Sequence, residues 1–148
     1  MITIAIDPGA KGAIAYRMGN VARAMRCPDN EVEMSQLITT LRDVDECRAI
    51  IEEVSAMPGN GAVGMFHFGR NFGGWLGILS ASGVSHKLVK PMKWQKFIPG
   101  LPHGKEVKKE RKDALKAYSA RLYPGLRVTL VNADALAMLD VFAKVWEE

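Results

Sequence analysis

Two periods of apolar residues alternate along this chain, and the switches between them divide it into strands and helices. Ile2-Thr3-Ile4-Ala5-Ile6 is a β-branched apolar run of the kind that forms a buried strand, and Pro8-Gly9 stops it just after Asp7. Gly12 to Tyr16 reads as a second strand and Val21 to Met25 as a third, with Met18-Gly19-Asn20 as a hairpin turn. Ser35 is placed to cap a helix carrying Leu37, Ile38 and Leu41. Ala49 to Glu53 is a short buried strand, and Met57 to Gly64, rich in Gly and Pro, is a loop. Phe72 to Ser82 is apolar nearly all round and broken by glycines, each of which costs a helix about 1 kcal/mol relative to alanine. That cost points to close approach by another helix, in the core or across a dimer contact. His86 to Val89 is a strand, Pro91 to Phe97 a short helix and Pro99 to Gly104 a loop. Lys105 to Leu122 is a long polar helix stopped by Pro124-Gly125, Val128 to Val131 is extended, and Asp134 to Trp146 is a final helix. Strands first, then strands alternating with helices, define an α/β class.

The length of 148 residues and 48% hydrophobic content suit one domain, residues 1–148, with one sizeable core. No stretch reaches the length of a membrane span, and Asp7 interrupts any basic-then-apolar leader, so a soluble cytoplasmic protein with no membrane partner is expected. Cys27 and Cys47, the two cysteines, lack metal-site spacing and point to a reducing compartment. The net charge of +4 is unevenly spread. Lys87, Lys90, Lys93, Lys96, Lys105, Lys108, Lys109, Arg111, Lys112 and Lys116 follow one another against only Glu106, Glu110 and Asp113, while acids gather between Asp29 and Glu53. A basic half beside an acidic half suggests a track for a polyanion.

Three acids stand out by position. Asp7 ends the first strand, Glu52 follows Ile50-Ile51, and Asp134 opens the last helix. Phosphodiester hydrolysis needs charge neutralised at the phosphate and a water made nucleophilic, and two Mg²⁺ ions ~4 Å apart do both. Mg²⁺ takes oxygen ligands and keeps several waters, so a few carboxylates on rigid elements suffice. Taken singly, each acid is more simply a turn cap, a surface residue or a helix N-terminal acid.

The wider pattern resembles the RuvC-type Holliday junction resolvases of the ribonuclease H-like superfamily. The residues that carry the resemblance are Ile4-Ala5-Ile6-Asp7-Pro8-Gly9 with Gly12, then Ile51-Glu52, then Ala133-Asp134-Ala135-Leu136-Ala137. Ala56-Met57-Pro58-Gly59-Asn60-Gly61, Phe66-His67-Phe68-Gly69-Arg70-Asn71-Phe72-Gly73 and Val89-Lys90-Pro91 with Trp94 resemble the phage and prophage branch. The resemblance implies a central mixed five-stranded sheet flanked by helices, a homodimer, and Mg²⁺-dependent (or Mn²⁺-dependent) symmetric nicking of four-way DNA junctions with two ions per site. It makes Asp7, Glu52 and Asp134 metal ligands, and Lys112 a cation near the scissile phosphate. Glu53 is the rival of Glu52, and because neighbours on a strand face opposite ways only one of them points into the site. The family's fourth acid falls here at Val131 or Leu130, which bind no metal. Asn132 either stands in for it through a shifted loop or is a replacement of it, and Asp140, about 120° round the helix from Asp134, is a poor substitute.

Lys105, Lys108, Lys109 and Arg70 are expected to meet DNA phosphates, and Met57 or Phe66 to wedge apolar surface into the junction centre. His67 without partner ligands is a weak zinc candidate. Gly100 to Lys105 is one residue short of a phosphate-binding loop and has Glu106 where Ser or Thr is needed, so no nucleotide cofactor is expected. A junction-binding protein without cleavage, and a related nuclease acting on other nucleic acids, are the alternatives.

Overall fold

The computed structural model describes residues 1–56 and 59–148. Its elements are β1 (Ile2–Asp7), β2 (Ala13–Met18), β3 (Val21–Arg26), α1 (Glu31–Val44), β4 (Cys47–Glu52), α2 (Ala62–Ala81), β5 (Ser85–Val89), α3 (Pro91–Gln95), α4 (Lys108–Leu122), α5 (Ala133–Asp140) and α6 (Phe142–Glu147). The strands form one mixed five-stranded sheet in the order β3-β2-β1-β4-β5. β1, β2 and β3 make an antiparallel meander, joined at Gly19, whose φ of 55° the tight turn requires. β4 and β5 add in parallel on the other side of β1.

Period two along β1 and β4 sorts their side chains onto two faces. Ile2, Ile4 and Ile6 of β1 join Ala49 and Ile51 of β4 in a core against Met34, Ile38 and Leu41 of α1 and Trp75 and Leu79 of α2. Ala5 and Ile50 face the other way, into a second core with Val89, Trp94, Leu115 and the apolar side of α5 and α6. The sheet is therefore filled on both faces, which explains why its central strands read as continuous apolar runs.

Several boundaries move. α1 begins one turn before Ser35, because Asn30 accepts the Glu33 N–H at 2.9 Å through its side chain and caps the helix. The glycine-rich stretch joins a longer helix: α2 starts at Ala62, inside the loop expected over Met57 to Gly64, and carries Phe66. Residues 128–131 pair with no strand among the described residues and run into a turn. The last helix is two, broken at Val141 between α5 and α6. Cys27 and Cys47 are buried free thiols. No described helix is long and apolar enough to cross a membrane.

Candidate active site at the strand tips

β1 and β4 run parallel with Ile6 opposite Ile51, so the next residues, Asp7 and Glu52, end adjacent strands side by side. Asp7 shares the parity of Ala5, and Glu52 that of Ile50; both therefore face the layer of α3, α4 and α5. Glu53 has the opposite parity, and its N–H bonds to the Val89 carbonyl at 2.9 Å. Asp134 enters from that same layer, in the first turn of α5. The start of α5 is tied to α4 by the buried Ser119 hydroxyl, which donates to the Ala133 carbonyl at 2.9 Å.

Electrostatics reports the convergence. Burial pushes the Asp7 carboxyl well above its ordinary range, and the nearby Glu52 and Asp134 push it further, with Lys112 pulling back. Burial raises Glu52 to about 7; a hydrogen bond from Trp94 and the charge of Lys112 oppose the rise, and Asp134 adds to it. Asp134 is raised by burial and pulled down by Lys112 and Arg111. Three carboxyls crowd a partly buried corner against Lys112 and Arg111, and burial outweighs those two charges at all three. Among the described residues no three Asp, Glu, His or Cys side chains form a preassembled cation cage. The donors are nonetheless all oxygen, and their mutual repulsion is what a hard divalent cation relieves, so the residues suit Mg²⁺ or Mn²⁺ by chemistry.

The turn beneath Asp7 is braced from both sides. The Gly9 N–H donates to Asn71 Oδ1 of α2 at 2.8 Å, and the Cys27 thiol donates to the Asp7 carbonyl at 3.3 Å. Gly9 has φ 117°, and a Cβ there would meet the Phe68 ring at 2.8 Å. No local pattern in the sequence announces Asn71 or Cys27 as supports of this turn.

No protein-family model and no curated protein matches the sequence. Solved structures do match in three dimensions. T. thermophilus RuvC in complex with a Holliday junction substrate aligns at TM-score 0.64 and 16% identity, over 97% of this chain and 95% of that one. A second Thermus thermophilus RuvC structure aligns at TM-score 0.60 and 17% identity, over 99% and 97%. This chain has the RuvC fold. The central mixed five-stranded sheet flanked by helices that the resemblance implied is present, and the RuvC alignments cover 97% and 99% of this chain.

Within the RuvC fold the other expected residues separate. Lys112, exposed on α4, reaches all three acids electrostatically. Lys105 and Lys108 are exposed at and just before the α4 N-terminus. Lys109 is exposed but pairs with Asp113 at 3.0 Å. Arg70 is held by Glu31 at 2.9 Å and ties α2 to α1; a hydrogen bond from its own backbone N–H, and then Arg70, keep the Glu31 carboxyl below its ordinary range. Phe66 is 69% exposed on α2, with His67 edge-on beside it. Met57 and its neighbour Pro58 lie outside the described residues. Asn132 directs its amide into the preceding loop, accepting from the Thr129 N–H at 2.8 Å and donating to the Arg127 carbonyl at 3.0 Å. Asp140 accepts from the Tyr118 hydroxyl at 2.6 Å, away from the acids.

Proposed function

We propose that the chain is a structure-selective endodeoxyribonuclease that resolves four-way and other branched DNA, with Asp7, Glu52 and Asp134 as metal ligands. The observation that carries this reading is the meeting of three partly buried carboxyls, from β1, β4 and α5, opposite Lys112. Mg²⁺ or Mn²⁺ bound there, two ions per site, supplies charge neutralisation at the phosphate and an acidified water. Lys112 offers a positioned cation to the charge that builds on the phosphate as its ester bond breaks. Hydrolysis leaves 5′-phosphate and 3′-hydroxyl ends.

Affinity in this reading comes from the basic end of α4. Lys108 and Lys109 stand in the first helical turn, where positive charge opposes the helix dipole; Asp113 offsets Lys109, and among the described residues no acid pairs with Lys108. Together with Lys105 they extend a cationic surface beside the acids and hold backbone phosphates. Arg70, bound to Glu31, contributes by tying α2 in place. A homodimer presents two equal sites to the two equivalent strands of a junction. The exposed side of α2 supports it: open space lies where Cβ atoms would stand at Gly69, Gly73 and Gly77, and Phe66 projects from the same helix. The T. thermophilus RuvC structure with its Holliday junction substrate supports the choice of branched DNA.

A second reading, junction binding without cleavage, is favoured by one residue. Asn132 stands near the place of a fourth acid, with its amide committed to residues 127 and 129. A labelled synthetic four-way junction incubated with Mg²⁺ or Mn²⁺ separates the two. Paired symmetric nicks, absent with EDTA and absent on linear duplex, are expected. Tight binding with no nicks in either metal would establish the second reading.

A further inference from the structure

We infer that Trp94 is the positioning residue for Glu52, an inference that rests on the reading of Glu52 as a cation ligand. Its indole Nε1 donates to Glu52 Oε2 at 2.7 Å. Among the described residues it is the one hydrogen-bond donor to that carboxylate, so one oxygen is fixed and the other has no donor, in a carboxylate close enough to Asp7 and Asp134 to couple with both. The donor itself cannot swing. Trp94 is 0% exposed and packed in the core with Val89, Ile98, Leu101 and Leu115. Val89 pairs with Glu52 across β4 and β5, and α3 begins at Pro91, so the indole and the carboxylate are set by adjoining rigid pieces of backbone. Filling this volume does not require an indole N–H. The other fully buried tryptophan, Trp75, has no oxygen acceptor among the described residues and lies against the Cys27 sulfur, whereas the N–H of Trp94 is aimed at one oxygen of a site residue. A glutamate has three side-chain torsions, and without this anchor the Glu52 carboxylate must be ordered by the cation itself.

Trp94→Phe keeps the aromatic ring and deletes the donor. In the full chain without DNA, the Mn²⁺ dissociation constant read by calorimetry is expected to weaken about 10- to 100-fold, the range for loss of a residue that orients a metal ligand. In junction nicking, kcat falls, KM for the junction holds, and excess Mn²⁺ restores part of kcat. A purely structural tryptophan would not give that metal-rescued split. Unchanged Mn²⁺ affinity in a natively folded variant overturns the positioning role alone, while a wild-type chain that binds no Mn²⁺ overturns the cation reading and this inference with it. A second measurement avoids altering the core. In ¹⁵N-indole spectra of Glu52→Gln, assigned through Trp75→Phe and Trp146→Phe, the Trp94 N–H signal should move upfield while that of Trp146 stays. A stationary Trp94 signal overturns the inference.

Discussion

Glu52 holds its proton more tightly in the folded chain than in the unfolded one, because burial and then Asp134 push its carboxyl from an ordinary 4.5 up to about 7. Between those values the folded state carries the extra proton, so raising the pH destabilises it; below 4.5 and above 7 the effect is flat. The shift corresponds to about 3 kcal/mol. Cation-free protein should therefore lose melting temperature as the pH rises from 4.5 to 7.5, Glu52→Gln should lose less, and Mn²⁺ should restore the loss at pH 7.5. A flat profile in differential scanning calorimetry would contradict the charge crowding. Lys112→Ala should lower kcat by about 10²- to 10³-fold with junction affinity nearly kept, as for removal of one positioned transition-state donor. An equal loss in affinity and rate would make Lys112 a plain phosphate contact. At this scale strand alternation was legible from sequence, since it admits only one of Glu52 and Glu53 and the register admits Glu52. Trp94 was visible as part of a motif but not as a donor, because the bond joins residues 42 positions apart through the fold.

Elements bring these residues together, and their ends were the hardest part to read. Ser35 resembles a cap in sequence, yet Asn30 does the capping, because Glu31 and Glu33 already favour a helix start one turn earlier. Asn30→Ala should cost about 1 kcal/mol in urea unfolding and Ser35→Ala close to nothing; the reverse order would place the cap at Ser35. The first half of α2 was hidden by Gly64 and Gly69, which lower helix propensity in the local window, while Trp75 and Leu79, buried against the sheet, hold the helix in place. That helix also reaches the site, through Asn71 and Phe68 beneath the turn after Asp7. Gly9→Ala meets both a φ of 117° and the Phe68 ring, so it should cost roughly 1–3 kcal/mol and reduce cleavage more than junction binding. Wild-type stability and activity in Gly9→Ala would show that this turn is looser than described.

For the whole molecule, the sheet gathers acids at one end of its central strands, and α4 lays Lys112 and Arg111 beside them. The order of elements and the α/β class could be read from the chain because central strands covered on both faces leave long apolar runs. What the sequence left open was three-dimensional: which loop Asn132 braces, and which side of α2 stays uncovered. Junction affinity should fall steeply with added salt, and Lys105→Ala combined with Lys108→Ala should make that dependence shallower by roughly two units of log–log slope. An unchanged slope would move the DNA surface away from α4. The most direct test of the account is cleavage of a four-way junction by Asp7→Asn, Glu52→Gln, Asp134→Asn and the triple variant, each compared at saturating DNA in Mn²⁺. Groups that act as one unit are not additive. Each single change should lower the rate about 10³-fold or more, and the triple should lose little beyond that. Any single variant that cleaves within tenfold of the wild type would contradict the three-carboxylate site.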